Sequence, residues 1–264
     1  MRGLPPSSYS APGLRRAQSS RCELRPPVLN SCNSLNSSHS FISYLLFAKH
    51  MNWDEHYQAK DTPWEKGAPA PPLVEWLRKR GPLEGEVLVP GCGYGHDVRA
   101  IAAASPKATV VGIDIAATAL EEALKYPSVG REVFQSADIF ALPLLLQCRF
   151  DWVFEHTCFC AIQPHQRLNF VSMAVSALKP EGQLLAIFFL NPWDAEDELP
   201  EGGGPPFGVT KAELDNLFNP HFSLAEEFKP KTAFPGREGR EIVRLMRKRK
   251  GERAHGRTGE VPDM

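Results

Sequence analysis

The chain has 264 residues, of which 42% are hydrophobic and 23% charged, and its formal net charge is -1. This length and composition are typical of a soluble globular protein with one large domain or two small ones. The balanced charge argues against a protein that holds nucleic acid mainly by its phosphates, and the longest apolar run in the body, residues 184–190, is far shorter than the ~20 residues needed to cross a bilayer.

Residues 1–50 differ from the rest of the chain, because they hold eleven serines, five arginines and five prolines but a single acidic residue, Glu23. This composition predicts a disordered leader. Two origins stay open: a transit peptide, although the prolines would interrupt its helix, or a start assigned too early, since Met51 directly precedes the first motif. We expect a cytoplasmic protein, with organellar import as the alternative if the leader is a transit peptide.

From Met51 to about Lys250, short apolar runs alternate with helical patterns, which is typical of an open sheet built from β-α-β units. Strands are predicted at residues 86–90, 109–115, 132–135, 150–155, 183–190, 222–228 and 241–246. Helices are predicted at 96–104, 117–125, 164–178 and 210–218, with a helix stop at 179–182. The fold class is therefore α/β, with the last two strands closing one sheet edge as an antiparallel hairpin and a flexible tail over residues 251–264.

A glycine-rich loop, residues 91–95 (GCGYG), lies between the first predicted strand and the helix that follows it. This order places a tight turn and backbone N–H groups at the carboxyl end of the sheet, where open α/β folds bind ligands. Glycines let a ligand approach the backbone closely. The motif alone is weak, because such loops also occur in dinucleotide enzymes and by chance.

Acidic residues follow the next two strands. Asp114, at the second strand end, can accept hydrogen bonds from both hydroxyls of an adenosine ribose. Asp138, after the third strand, can accept from the exocyclic amine of adenine while Ile139 packs on the ring. Three strand ends therefore converge on one nucleoside. A dinucleotide fingerprint requires glycine where His96 stands, so a nicotinamide-dependent oxidoreductase is the less favoured alternative.

A G-x-G-x-G loop with an acid at the second strand end resembles the class I methyltransferases, which bind S-adenosylmethionine on a Rossmann-like sheet with helices on both faces. The segments WDEHYQAKDTPW, VLVPGCGYGHDV, GIDI, FDWVFEHTCFCAIQP, LKPEG and GGPPF narrow the resemblance to the thiopurine S-methyltransferase family, and most closely to its thiol and halide methyltransferase branch. The resemblance covers most of residues 53–209. It implies methyl transfer to a small soft nucleophile: a thiol, hydrosulfide, thiocyanate, a halide or a thiopurine-like sulfur.

The resemblance also implies the residues that contact the cofactor. Carried over by position, these are Trp53, Tyr57, Trp64, Gly91, Gly93, Asp114, Asp138, Ile139 and His156. The relatives usually have W-x3-W-x6-W at the start, so Tyr57 is a departure. An indole face attracts a sulfonium cation by roughly 0.5–2 kcal/mol and excludes water, which supports an aromatic cover over the cofactor. The ordinary alternative is that these rings only pack on the domain.

Methyl transfer from a sulfonium is an in-line displacement that needs little acid–base help when the nucleophile is already an anion. A neutral thiol must first lose its proton, and His156, at the fourth strand end, is the candidate base. The plant-like branch commonly has Asp-Tyr where this chain has Glu155-His156, which puts a tyrosine-dependent mechanism in doubt. Three roles stay open for His156: base, cofactor contact or structural hydrogen bond.

The six cysteines include no C-x-x-C pair, so neither a disulfide framework nor a zinc site is indicated. Cys158 and Cys160 form an H-x-C-x-C cluster with His156. Strand-like spacing without a fourth ligand favours packing or pocket lining over a metal site. In an extended segment Phe159 would lie on the face opposite the cysteines, and only one of the two faces can line the acceptor pocket.

Two loops after the fifth strand, residues 191–193 and 203–207, are predicted either to shape the rim of the acceptor pocket or to be rigid without touching a ligand. Arg237 and Arg240 either attract an anionic acceptor or form an exposed basic loop, which is the commoner case. A monomer is slightly favoured. A non-catalytic regulator that kept the cofactor fold is the alternative to an enzyme.

Overall fold

A computed structural model of the protein describes residues 51–194, 196–200 and 202–251. The predicted leader and nearly all of the predicted tail lie outside the described residues. The strands are β1 (Glu86–Pro90), β2 (Thr109–Asp114), β3 (Glu132–Ser136), β4 (Phe150–His156), β5 (Leu178–Phe189), β6 (Phe222–Phe228) and β7 (Glu241–Lys248). The helices are α1 (Trp53–Ala59), α2 (Pro71–Arg80), α3 (His96–Ala104), α4 (Ala117–Lys125), α5 (Arg167–Ala177) and α6 (Lys211–Phe218).

The seven strands form one sheet in the order β3-β2-β1-β4-β5-β7-β6. The first five strands along the chain run parallel, and β7 pairs antiparallel with both β5 and β6. The predicted α/β class with its closing antiparallel hairpin is confirmed. The strand order reverses between β1 and β4, and in open α/β sheets this switch point is where ligands bind.

Alternate residues of each central strand face two separate cores. Val87 and Val89 of β1 pack with α2 and α3 on one side, whereas Leu88 packs with α5 and α6 on the other. Helices thus cover both faces, as predicted, and this explains why β5 carries an unbroken apolar run over residues 184–189. In the described part of the chain, every helix is too short or too polar to cross a bilayer.

The start of α5 and the segment that follows this helix differ from their predicted structure. Pro164–Gln166 forms a 3-10 turn, and α5 begins only at Arg167. The helix ends at Ala177, one residue before its predicted end, so the predicted stop is confirmed, but residues 179–182 already belong to β5, whose predicted start was residue 183. Phe150 of β4 pairs with Leu178 of β5, whereas Trp152 pairs with Gln183. Residues 179–182 of β5 therefore lie opposite a single residue of β4 and form a bulge.

Helices α1 and α2 have no counterpart among the predicted elements. Pro71 occupies the first turn of α2, where its fixed φ suits a helix start and its missing N–H costs nothing. The indole of Trp76 on α2 stacks on Phe228 of β6, with ring centroids 6.2 Å apart and planes at 6°. Packing against the distant hairpin therefore stabilises α2.

Candidate active site

The glycine loop leads from β1 into α3 at the carboxyl edge of the sheet. Gly91, Gly93 and Gly95 have φ angles of 58°, 51° and 75°, which glycine adopts without strain. A Cβ at Gly91 would lie 2.9 Å from the side chain of Cys158, and one at Gly93 would lie 2.9 Å from the hydroxyl of Tyr57. The loop therefore needs glycine for its backbone and for the close approach of two neighbouring segments.

Asp114 ends β2 beside this loop, and its carboxylate is buried. One oxygen accepts from the N–H of Gly93 at 2.8 Å, and the other accepts from the N–H of Ala116 at 2.9 Å. Burial raises the pKa of Asp114, against the effect of these hydrogen bonds. Each carboxylate oxygen has two lone pairs, so both can accept a further bond from a ribose hydroxyl.

Asp138 and Ile139 follow β3, next to the end of β2. The N–H of Ala137 donates to the carbonyl of Asp114 at 3.0 Å, which joins the two strand ends. One oxygen of Asp138 accepts from the N–H of Phe140 at 2.8 Å and caps a short 3-10 turn, while Ile139 packs against the core on the α5 side. The structure thus brings both acids to one sheet edge. The adenine contact stays a prediction.

The aromatic trio lies together over the glycine loop. The Trp64 ring meets those of Trp53 and Tyr57 edge-on, at centroid distances of 5.4 and 5.8 Å, and its Nε1 donates to the Tyr57 hydroxyl at 3.1 Å. Asp54 accepts from the N–H of Thr118 at 2.8 Å and so holds α1 against the first turn of α4. Cofactor contact by the three rings stays a prediction.

Residues 53–70, which include the aromatic trio, are called the lid segment below. Two polar contacts join the part of this segment that follows Trp64 to α3. Nε2 of His96 lies 3.1 Å from a carboxylate oxygen of Glu65, and the N–H of Ala70 donates to Oδ1 of Asp97 at 2.7 Å. His96 thus stands where a dinucleotide fingerprint would have glycine and contacts the lid segment instead.

His156 ends β4 with both ring nitrogens facing charged groups. Nδ1 lies 2.8 Å from Oδ2 of Asp97, Nε2 lies 3.4 Å from Nη1 of Arg237, and the ring stacks on Phe234 at a centroid distance of 6.2 Å. Only 9% of the side chain is exposed. Asp97 was not among the predicted site residues, and its only sequence signal is its place in the first turn after the glycine loop.

Arg237 is largely buried beside His156 rather than part of an exposed basic loop. Its guanidinium packs on the ring of Phe189 at 4.8 Å and donates to the buried Glu241 carboxylate at 3.3 Å. The prediction of an exposed loop is therefore wrong for Arg237, because aromatic and acidic side chains surround it. Arg240 instead forms an ion pair with Asp194 near the surface, in which Nη2 lies 2.6 and 2.7 Å from the two carboxylate oxygens.

Glu155 precedes His156 and holds the turn that follows β4. Its Oε1 accepts from the N–H of Phe159 at 2.7 Å, and the residue is 1% exposed. Burial raises the pKa of Glu155 to about 8, and the nearby Asp97 carboxylate acts in the same direction. Burial therefore favours the neutral acid form of Glu155 in the folded protein.

The segment after Glu155 is not extended, because Phe159–Ala161 forms a 3-10 turn. Phe159 points into the core, where it meets Phe170 and Phe188 edge-on at 5.4 and 5.2 Å. The prediction that Phe159 and the cysteines lie on opposite faces of a strand is thus wrong. Cys158 packs on the glycine loop at Gly91. No group of three or more metal-ligating side chains occurs within the described ranges.

The loop at residues 204–208 is fixed beside this turn. The N–H of Phe207 donates to the carbonyl of Cys160 at 2.7 Å, and Nε1 of Trp193 donates to the carbonyl of Pro206 at 2.9 Å. The buried Arg167 donates to the carbonyl of Phe207 at 3.1 Å. Arg167 was not predicted, although an arginine at the start of a largely apolar helix was a possible signal. These hydrogen bonds hold the predicted rim loop in place, and its contact with a ligand stays a prediction.

A comparison with protein-family models matches residues 48–249 to the thiopurine S-methyltransferase family. The chain belongs to this family. Its members include thiol, thiocyanate and thiopurine methyltransferases, so the chain is an S-adenosylmethionine-dependent S-methyltransferase by family. The family resemblance predicted from the sequence is confirmed, and membership removes the oxidoreductase alternative.

Proteins similar to this chain come from plants and bacteria. Thiocyanate methyltransferase 1 of Arabidopsis thaliana is 32% identical over 202 residues, which are 74% of this chain and 84% of that protein. Probable thiol methyltransferase 2 of the same plant is 35% identical over 64% of this chain and 71% of its own length. Thiopurine S-methyltransferase of Vibrio atlanticus is 27% identical over 56% of this chain and 71% of its own length.

Solved structures share the fold. One, from work on the conversion of a disulfide bond into a thioacetal group in echinomycin biosynthesis, has a TM-score of 0.59 at 20% identity and covers 76% of this chain and 92% of its own. The 1,6-didemethyltoxoflavin-N1-methyltransferase of Burkholderia thailandensis has a TM-score of 0.58 at 18% identity, with coverage of 83% and 94%. The class I methyltransferase fold is confirmed.

S-adenosylmethionine is the cofactor of this S-methyltransferase family member, and the described residues fit it. The Asp114 carboxylate can still accept hydrogen bonds from ribose hydroxyls. The glycine loop leaves its backbone uncovered by side chains, because a Cβ at Gly91 or Gly93 would collide with neighbouring residues. The rings of Trp53 and Trp64 lie at the same edge and supply faces suited to a sulfonium.

Proposed function

We propose that this S-methyltransferase transfers its methyl group to a small soft nucleophile, such as a thiol, hydrosulfide, thiocyanate or a halide, by in-line displacement. Bound S-adenosylmethionine supplies an electrophilic methyl carbon on a sulfonium. The observation that carries the proposal is the pairing of His156 with Arg237 at the end of β4, with Nε2 and Nη1 3.4 Å apart. A base and a fixed cation beside the cofactor edge suit a sulfur or halide acceptor.

Arg237 would attract an acceptor that is already an anion. Its guanidinium lies among the rings of Phe189 and Phe234, where a fixed charge acts more strongly than it does in water. Soft anions such as thiocyanate and iodide shed water readily and need no base. The acceptor would then be positioned and desolvated by the pocket, which is most of what this displacement requires.

His156 would serve acceptors that arrive as neutral thiols. Its Nε2 faces the guanidinium of Arg237, which can only donate hydrogen bonds, so this nitrogen carries the lone pair. That lone pair can take the thiol proton. The names of the plant relatives, thiol and thiocyanate methyltransferase, support the same acceptor class.

The first experiment measures S-adenosylhomocysteine formation by the full chain with hydrosulfide, thiocyanate, iodide, a small alkyl thiol and a thiopurine. Turnover of any of these acceptors supports the proposal, and the ranking describes the pocket. Cofactor binding by calorimetry without turnover of any acceptor would contradict it and would favour a non-catalytic cofactor-binding protein.

A second experiment tests His156 as the base. We expect His156→Phe to slow methylation of the alkyl thiol by roughly 100-fold while iodide methylation changes little. The matched control is His165→Phe, at an exposed histidine in the 3-10 turn before α5. Equal losses for the two acceptors would instead assign His156 to cofactor binding or to structure.

A further inference from the structure

The carboxylate of Asp97 connects two parts of the site that are far apart in sequence. Oδ1 accepts from the backbone N–H of Ala70 in the lid segment at 2.7 Å, and Oδ2 lies 2.8 Å from Nδ1 of His156. The side chains of Asp97 and His156 are 16% and 9% exposed, so the contact is largely shielded from water. A single carboxylate thus holds both the lid segment and the candidate base.

This geometry fixes the tautomer of the imidazole. A carboxylate only accepts hydrogen bonds, so Nδ1 of His156 carries the proton and donates it to Asp97. In a neutral imidazole the lone pair is then on Nε2. The other charged groups near the ring are Arg237, at Nε2, and the Glu241 carboxylate that accepts from Arg237.

We infer that Asp97 is the positioning residue that prepares His156 as a base, an inference that rests on the proposed function. When a neutral thiol reaches Nε2, its S–H bond breaks, the proton passes to Nε2 and the electron pair stays on sulfur. The resulting imidazolium keeps its Nδ1–H on Asp97, whose negative charge stabilises it. The contact to Arg237 is long, at 3.4 Å, so the thiol can replace it.

The Asp97 carboxylate also links the orientation of His156 to the lid segment. Ala70 is fully buried and directly precedes α2, so its N–H is held in place at Oδ1. This contact fixes the rotation of the Asp97 carboxylate, so His156 is oriented by a group that is itself held by a buried backbone N–H.

Asp97→Asn separates these roles, because an amide has one oxygen for two donors. If that oxygen serves Ala70, the amide N–H₂ faces Nδ1 and forces the proton of His156 onto Nε2, where it cannot act as a base. We expect a roughly 100-fold loss of turnover with an alkyl thiol, a change of less than about threefold with iodide, and unchanged affinity for S-adenosylhomocysteine by calorimetry.

The direct measurement is the tautomer of His156, from ¹⁵N NMR of the imidazole in the cofactor-free full chain. We expect Nδ1–H in the wild-type protein and Nε2–H in Asp97→Asn. The matched control is Asp151→Asn on the opposite end of β4, whose carboxylate also accepts a backbone N–H, from Glu86 at 2.8 Å. The control should alter neither the tautomer nor the ratio of the two rates.

An Nε2–H tautomer in the wild-type protein, or equal losses for thiol and iodide in Asp97→Asn, would overturn the inference. The wild-type spectrum decides the matter even if the variant does not fold. A wild-type chain that methylates none of the acceptors would refute the proposed function, whereas the NMR measurement would still test the contact between Asp97 and His156.

Discussion

The hydroxyl of Tyr57 lies against Gly93, 2.9 Å from the position that a Cβ on this residue would occupy. Burial and the neighbouring Asp114 carboxylate both raise the pKa of the Tyr57 phenol, so the hydroxyl stays protonated. Trp64 donates to the same oxygen. The lid segment is therefore packed directly on the glycine loop, which is predicted to present its backbone to the cofactor.

Gly93→Ala tests this packing. The substitution places a Cβ at a φ of 51° and against the Tyr57 hydroxyl. We expect a loss of stability of about 1–2 kcal/mol from the backbone and a further loss of cofactor affinity of about tenfold or more as the lid segment shifts. Urea unfolding measures the stability, and calorimetry with S-adenosylhomocysteine measures the affinity.

Gly67→Ala is the matched control for the backbone contribution. Gly67 has a φ of 67°, and its Cβ would meet nothing within 4 Å. This variant should lose a similar amount of stability but keep the cofactor affinity. If Gly93→Ala also kept its affinity, the contact between the lid segment and the loop would have no part in cofactor binding.

The strands of this fold were predictable because helices cover both sheet faces and leave apolar runs in the sequence, as in β1 and β5. The glycine loop was predictable because it directly follows β1, and Asp114 because it is the last residue of β2. Helix α2 was not, since it is stabilised by the stacking of Trp76 on Phe228 in the distant hairpin. A local pattern carries no sign of such a contact.

The same limit applies to the site. His156 could be placed at a strand end, but its partners Asp97 and Arg237 lie 59 and 81 residues away along the chain. Only the folded sheet brings the first turn of α3 and the loop before β7 to the end of β4. The bulge in β5 was missed for a related reason, because its four residues read locally as a helix stop.

Asp114→Asn should weaken cofactor binding and reduce stability together. Its two oxygens each accept a backbone N–H, from Gly93 and from Ala116, and an amide can satisfy only one of them. We expect a loss of about 1–3 kcal/mol in the free energy of unfolding and an affinity for S-adenosylhomocysteine that is about 10- to 100-fold weaker. Asp151→Asn, away from the glycine loop, should leave the affinity unchanged. An Asp114→Asn variant with wild-type affinity would remove Asp114 from the cofactor site.

Glu155 should make the stability of the protein fall as pH rises. Its pKa is raised from 4.5 to about 8 in the folded state, so the unfolded chain releases this proton first. The contribution to stability is present below the unfolded pKa and is lost as pH rises through the folded one. Between about pH 5 and about pH 9 the loss should reach a few kcal/mol.

Glu155→Gln isolates this effect, because glutamine has the shape of the neutral acid and keeps an oxygen for the N–H of Phe159. Near pH 5 the variant and the wild type should unfold at similar urea concentrations, whereas near pH 9 the variant should be the more stable by about 2 kcal/mol or more. Glu84→Gln, at an exposed position, serves as the control. Parallel pH curves for wild type and Glu155→Gln would show that Glu155 ionises normally.

Arg237→Gln should impair the use of anionic acceptors. The variant removes the cation that packs on Phe189, and we expect KM for thiocyanate to rise by about 10- to 100-fold, as for the loss of one charged contact. Because the change leaves the buried Glu241 without its partner, Glu241→Gln in the same chain restores a neutral pair. Arg240→Gln, which disrupts only a surface pair with Asp194, should leave KM unchanged. Equal KM values in the Arg237 and Arg240 variants would show that Arg237 stabilises the loop before β7 and does not bind the acceptor.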